Sequence, residues 1–369
     1  MRIAVVSLHR GGMAHYAAML TRSIAAADPR GAVACFCCAD VNAEFFAPHA
    51  ERFLFDIPQH FHFREIGRLS AAAGRIRALR TALEDWAPDV IHLNSGHVGL
   101  LPFIPGLARR HPLVATIHDV RPHPGDRRIL KAIKHRPLVR YARVILVHSD
   151  IHRQDAARRW PSAASRIDVI PSGLLLPPPN PPPAAPGPPD ILFIGRLERY
   201  KGLDVLLRAW PAIAEACPEA RLTIAGEGRL NPALDSPRAR TGRIRIIRQY
   251  LSDQEFIRHM IESSVVVLPY VEASQSGVAL AASAYGRAVV ATRVGAIPDV
   301  VRDRETGLLV EPADPAGLAE AVIRLLRDDA LRDRLGRHAA TFVRERFGPE
   351  TIGARLLDVY RRAAGFQPN

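Results

Sequence analysis

Short apolar runs punctuate the whole chain. In the first half they are IAVVSL (3–8), AVACFCC (32–38), RFLFDI (52–57), DVIHLN (89–94), LVATIH (113–118), RVILVHS (143–149) and IDVIPSG (167–173). Between them lie stretches with helical spacing. In 68–86, Leu69, Ala72, Ile76, Leu79, Leu83 and Trp86 follow one another at intervals of three and four, which predicts one face of a helix. Arg68, Arg75, Arg77 and Arg80 take the remaining surface. The second half repeats the rhythm: ILFIG (191–195), a helix over 202–217, RLTIAG (221–226), RIRIIRQ (243–249), a helix over 253–263, VVVLP (265–269), a further helix, AVVAT (288–292) and GLLV (307–310). Continuous apolar strands alternating with helices predict an α/β protein with parallel sheets covered on both faces.

A proline tract divides the two halves. Residues 177–189, PPPNPPPAAPGPP, hold nine prolines in 13 positions. Proline locks φ and lacks the amide donor, so the tract reads as a semi-rigid extended connector, not a helix or central strand. The expected organisation is an N-terminal domain over 1–175, a linker over 176–190, a second domain over 191–350 and a terminal helix over 351–369. The simplest architecture is two doubly wound parallel-sheet domains facing each other across a cleft. Ligands in such sheets sit outside the carboxyl ends of the strands, so chemistry is sought just after each strand.

The 369 residues carry 50 basic and 37 acidic side chains, a net charge of +13, yet only Lys131, Lys134 and Lys201 are lysines. The densest basic stretch is 121–143, where Arg121, Arg127, Arg128, Lys131, Lys134, Arg136, Arg140 and Arg143 face Asp126 alone. Such a stretch suits an anionic membrane surface; it reads equally as a solvated helix face in an arginine-biased chain. No zinc spacing, helix-turn-helix pattern or aromatic-interleaved basic run argues for nucleic acid. No apolar run reaches the ~18 residues of a membrane span. Cys35, Cys37 and Cys38 sit in a strand-like run and read as small buried hydrophobes of a reducing compartment. These features predict a cytoplasmic protein, with the inner face of the membrane as a peripheral site.

Three post-strand segments carry candidate chemistry. Gly11 and Gly12, in HRGGMAHY, let backbone amides at a helix start approach an anion. A tight structural turn accounts for them equally. GRLERYKG (195–202) places Arg196 and Lys201 at a strand end, a forked and a point cation suited to a diphosphate. In PYVEASQSGV (269–278), the turn with Ser274, Gln275, Ser276 and Gly277 opens an Ala-rich helix with Glu272 as the nearby carboxylate. It is a second phosphate cradle or an ordinary capped helix start.

Taken in order, these segments resemble the retaining, nucleotide-sugar-dependent glycosyltransferases of family 4, with the GT-B fold of two Rossmann-like domains. GRLERYKG, LTIAGEG (222–228), PYVEASQSGV, YGRAVVATRVGAIPDVV (285–301) and ETGLLVEPADPAGLAEAV (305–322) match the donor half. RGGMAHY, PDVIHLNSGH, ATIHD and IDVIPSG match the acceptor half. The resemblance implies that Arg196 and Lys201 stabilise the departing nucleoside diphosphate and that Gly11 and Gly12 close over the donor phosphates. It implies that His118 lies where donor sugar and acceptor meet. The amides of Ser276, Gly277 and Val278 would cradle the diphosphate, and Gly226 and Gly228 would line the nucleotide side. It departs in one place: the glutamate pair common in the family falls here on Ala273, beside Glu272, and on Ala281. The SQSG turn resembles a subgroup that replaces that pattern.

The function this implies is transfer of a sugar from a UDP- or GDP-linked donor to a carbohydrate or lipid-linked glycan acceptor. No metal or other cofactor is expected, since Arg196 and Lys201 fill the cationic role and no clustered Asp-x-Asp occurs. Closure over the linker would exclude water. Two alternatives stay open: a sugar-nucleotide epimerase, or a non-catalytic protein of this fold that binds sugar nucleotide or membrane.

Overall fold

In the computed structural model, residues 1–38, 43–57, 66–121, 128–179, 181–184, 190–228 and 243–366 are described, without the side chains of 66–72 and 128–131. The chain forms two compact units, Met1–Pro177 with Phe347–Asn369, and Pro178–Arg346.

The first unit is built on strands β1 (Arg2–Ser7), β2 (Ala32–Cys37), β3 (Glu51–Leu54), β4 (Val90–Asn94), β5 (Leu113–Thr116), β6 (Val144–Val147) and β7 (Ile167–Val169). They pair in the order β3-β2-β1-β4-β5-β6-β7, each pair parallel. Helices α1 (Gly12–Ala27), α2 (Ile66–Trp86), α3 (Ile104–Arg110), α4 (Arg128–Tyr141) and α5 (Asp150–Arg159) connect them. The continuous apolar runs are buried on both faces: Ile3, Ala4, Val5 and Val6 of β1 are each at most 2% exposed. On α2 the expected stripe is realised where side chains are described, with Ile76, Leu79, Leu83 and Trp86 all buried. Cys35, Cys37 and Cys38 are buried free thiols.

The second unit repeats the plan. Strands β8 (Asp190–Ile194), β9 (Arg221–Ala225), β10 (Ile244–Ile247), β11 (Val265–Leu268), β12 (Ala288–Thr292) and β13 (Leu308–Val310) pair in the order β10-β9-β8-β11-β12-β13, again all parallel. Helices α6 (Leu203–Ala216), α7 (Asp253–Glu262), α8 (Gly277–Ala284), α9 (Pro315–Arg327) and α10 (Asp329–Phe347) accompany them. Leu203, Leu206, Trp210 and Ile213 of α6 and Leu318, Val322 and Leu325 of α9 bury one face of this sheet. A capping box between Ser252 and Glu255 starts α7.

The last helix, α11 (Pro349–Ala364), belongs to the first unit and packs on α1. Gly353 makes that approach close: a Cβ there would stand 1.9 Å from the Ser23 carbonyl oxygen. Proline at its start and Gly365, at φ +83°, just past its end bound the helix. The proline tract is no free connector along its whole described length. Arg287 is fully buried, and its guanidinium donates to the carbonyl oxygens of Pro183, Ala184 (3.3 Å), Ile261 (3.3 Å), Ser263 (3.2 Å) and Tyr285 (3.0 Å). Residues 183 and 184 are thereby tied to the second unit. In each sheet the strand order reverses once, between β1 and β4 and between β8 and β11, and in sheets of this kind ligands sit outside the carboxyl ends at that point.

Candidate active site

In the second unit, three loops meet at the carboxyl ends of β8, β9 and β11. Glycine brings their backbones together. A Cβ on Gly226, at φ +146°, would lie 1.9 Å from the Gly195 carbonyl oxygen, and one on Gly228 would lie 2.8 Å from the Leu197 nitrogen. The Leu197 amide donates to the Glu227 carbonyl at 2.8 Å, closing the two loops on each other. Gly202, at φ +66°, is wedged against Pro269, where a Cβ would meet the carbonyl oxygen at 1.8 Å.

On this frame Arg196 and Lys201 are held by aromatic side chains. The Arg196 guanidinium donates to the Tyr200 hydroxyl at 2.8 Å. The Lys201 ammonium lies 5.3 Å from the Tyr200 ring centroid and 3.7 Å from that of Tyr270. Both rings present their negative faces to the cation. Neither cation pairs with a carboxylate among the described residues. Tyr270 is fully buried, its carbonyl accepts from Thr292 Oγ1 at 2.5 Å, and its hydroxyl lies 3.4 Å from Ser276 Oγ. Ser276 caps α8, accepting from the Ala279 amide at 3.1 Å. A chain of contacts thus joins Arg196, Tyr200, Lys201, Tyr270 and the start of α8.

The turn before α8 is itself braced from beneath. Gly295, at φ +53°, sits where a Cβ would strike the Ala273 carbonyl at 1.8 Å, and the Ala296 amide donates to Ser274 at 3.1 Å. Gly277 and Glu272 are exposed, while Ser274, Gln275 and Val278 are half-buried. The Ser276 hydroxyl is engaged in capping, which leaves the backbone amides as the donors this helix start offers.

The first unit holds its polar groups differently. Gly11 adopts φ +61° and ψ −139°, a conformation open to glycine, and no side chain caps α1. A Cβ at Gly11 or Gly12 would meet nothing within 4 Å, so open space stands over the helix start. Behind it runs a buried ladder. Asn94, at the end of β4, donates through Nδ2 to Ser7 Oγ at 2.9 Å and to the Met13 carbonyl at 2.7 Å. Its Oδ1 lies 2.6 Å from His118 Nε2, and His118 Nδ1 lies 3.0 Å from His148 Nε2. The outer nitrogen of His148, Nδ1, faces the Ile170 carbonyl at 3.0 Å. Tyr16 of α1 meets both rings edge-on, at 4.6 Å and 5.2 Å. Beneath them His92 bridges Tyr360 of α11, at 2.6 Å, and Thr116, at 2.7 Å. Burial pushes His92 down to about 3, and it works against charge on His148 and His118 as well, on His118 with the neighbouring His148 adding to it.

Local sequence therefore points to the cations, the glycine turns and His118, but not to their supports, Asn94, Tyr16, Tyr200, Tyr270 and Gly295. The pairing of His148 with His118 shows only in the fold. Part of the basic stretch is engaged internally. Arg121 and Arg158 both pair with Asp155, the former at 2.6 Å, and Arg143 donates to the Ala363 carbonyl at 2.8 Å. Arg127 lies outside the described residues; on α4, Arg136 and Arg140 are exposed beside Ile133. Among the described residues no cluster of three or more His, Cys, Asp or Glu is placed to hold a metal, and no helix is long and apolar enough to cross a membrane.

Residues 11–173 match the family model of the glycosyl transferase 4-like domain, and residues 188–328 match that of glycosyl transferases group 1. The chain is 30% identical over 314 residues to a D-inositol 3-phosphate glycosyltransferase of a Nocardioides species, covering 74% of this chain and 67% of that protein. It is 29% identical over 307 residues to a phosphatidyl-myo-inositol mannosyltransferase of Mycobacterium leprae, covering 81% and 80%. Among solved structures, sucrose-phosphate synthase from Thermosynechococcus elongatus superposes with a TM-score of 0.75 over 100% of both chains at 24% identity. The likeness is one of fold: two Rossmann-like parallel-sheet units of the GT-B type.

Proposed function

Since the chain belongs to the glycosyltransferase family of the group 1 and 4-like domains, we propose that it moves a sugar, with retention of configuration, from a UDP- or GDP-linked donor to a glycan or lipid-linked acceptor. The observation that carries this reading is the chain of contacts from Arg196 through Tyr200, Lys201 and Tyr270 to the start of α8. It gathers two cations without carboxylate partners among the described residues, and a helix start, at the carboxyl ends of the neighbouring strands β8 and β11.

As the anomeric bond breaks, negative charge grows on the β-phosphate oxygens of the leaving group. Arg196, with a forked set of donors, and Lys201, with a compact charge, meet that growth without needing to reorganise. The amides of Ser276, Gly277 and Val278 add the positive end of α8. With these cations in place the chemistry needs no metal. In the first unit, the family resemblance assigns Gly11, Gly12 and His118 to the same reaction. The leaving oxygen, once free, takes the proton of the attacking acceptor hydroxyl from the same face, which is what retention requires. The D-inositol 3-phosphate glycosyltransferase and phosphatidyl-myo-inositol mannosyltransferase relatives favour an anionic acceptor, and exposed Arg136, Arg140 and Ile133 on α4 suit its approach from an anionic membrane surface at the cytoplasmic face.

The test is transfer from radiolabelled UDP- and GDP-sugars to a lipid extract, with the anomer of the product read by NMR. A product of the donor's own configuration supports the reading, and an inverted product contradicts it. Ala281, on the position where the resemblance implies a glutamate, favours a second reading: a protein that binds sugar nucleotide without turning it over. Tight donor binding with neither transfer nor hydrolysis would establish that reading instead.

A further inference from the structure

The hydrogen-bond ladder behind α1 does not close with two neutral histidines. Its two ends are fixed by groups that can only accept. Asn94 Nδ2 faces the Met13 carbonyl at 2.7 Å, so Asn94 presents its oxygen to His118 Nε2, 2.6 Å away. That nitrogen must carry a proton. At the far end, His148 Nδ1 lies 3.0 Å from the Ile170 carbonyl and must carry a proton too. If both rings are neutral, His118 Nδ1 and His148 Nε2 then confront each other as two lone pairs at 3.0 Å. Any neutral rearrangement gives up one outer bond: moving the proton inward on His148 orphans the Ile170 carbonyl, and moving it inward on His118 sets a lone pair against Asn94. One added proton satisfies all three contacts at once.

We propose that His118 and His148 share a single proton along the Nδ1···Nε2 axis and act as one singly charged unit at the carboxyl ends of β5 and β6, with His148 the positioning residue that holds His118. Several groups face the pair. Asp119 favours the charged form of both rings; His9 and His92 oppose charge on His118, and His152 opposes it on His148. Tyr16, buried against both rings, offers an edge and no countercharge. Burial and mutual repulsion work against charge, and they bar a second proton from the pair; the completed ladder and Asp119 favour the first. The consequence for the site is a fixed cationic group in the first unit, oriented by backbone carbonyls, beside the helix start that receives an anion. This role in the site rests on the transferase reading; the proton count does not.

The experiment is a count of imidazole protons by 15N-resolved NMR at about pH 6 on the whole protein. Three ring N–H groups on His118 and His148, with inner nitrogens of intermediate shift, support the proposal. Two N–H groups at that pH overturn it. His148→Asn keeps a donor for Ile170 but removes the inner nitrogen, and His148→Gln serves if that variant fails to fold. In either, His118 should revert to an ordinary neutral ring with its proton on Nε2, and one ionisation should vanish from the pH profile of donor turnover. A His118 signal unchanged by the substitution contradicts the shared proton. If no donor turnover is found at all, the transferase reading fails while the proton count still decides this one.

Discussion

The carboxyl ends of the two sheets show opposite ways of holding polar groups. In the first unit, Ser7, Asn94, His118 and His148 form one hydrogen-bonded set and His92, Thr116 and Tyr360 another, and six of the seven are buried. In the second, Arg196 and Lys201 rest on Tyr200 and Tyr270, partly open to solvent, and make no ion pair among the described residues. The first arrangement sets positions; the second leaves charge for a ligand to meet. A buried network half satisfied is costly, so the histidines are rigid elements. Cations on aromatic faces keep their charge and remain available, which is what a diphosphate requires.

Breaking the second arrangement should have the largest effect. Lys201→Ala is expected to lower turnover on the order of 10²–10³-fold, the range for losing one preorganised donor to developing charge. Steady-state rates, with melting temperature unchanged without ligand, would show that the loss is chemical. Gly202→Ala tests the frame beneath the lysine. The left-handed backbone and the contact with Pro269 should cost about 2–3 kcal/mol in a urea titration, whatever the ligand.

Acid should break the first arrangement and spare the second. The His92 imidazole sits at about 3 in the fold, against roughly 6.5 in an unfolded chain. Between those values the unfolded chain binds the proton more readily, so stability is full above the upper one and declines as pH falls toward the lower. The slope reaches about 1.4 kcal/mol per pH unit. Urea midpoints of wild type should fall through this window, and those of His92→Gln should fall less steeply. The smallest effect is expected at Tyr270. Leucine there removes the ring face under Lys201 and should weaken nucleoside diphosphate binding by about 0.5–2 kcal/mol, whereas phenylalanine should bind nearly as wild type. Equal losses in both variants would place the hydroxyl, not the ring, in charge of the lysine.

The strands were legible because parallel sheets covered on both faces need unbroken apolar runs, and AVVAT or VVVLP admit few other readings. Gly11, Gly12, Arg196 and Lys201 were legible because each follows such a run directly. The supports were not. Asn94 and His118 stand 24 positions apart, and His118 and His148 stand 30 apart. What joins them is the parallel register of β4, β5 and β6, which no local spacing encodes. Arg287 offered no signal in a chain with 50 basic residues, although it anchors the proline tract. Gly295 and Gly353 act through carbonyl groups far along the chain, so their need for glycine appears in space alone.

The central claim is that Arg196 and Lys201 form the anion-holding half of a sugar-nucleotide site, and calorimetric titration of UDP, GDP and ADP tests it most directly. Wild type should bind one of the three, and that nucleotide at about 100 times its dissociation constant should add ~2.7 kcal/mol to folding. The Arg196→Ala, Lys201→Ala double variant should lose that binding while remaining folded. Binding of equal strength in the double variant, or none in wild type, would contradict the account.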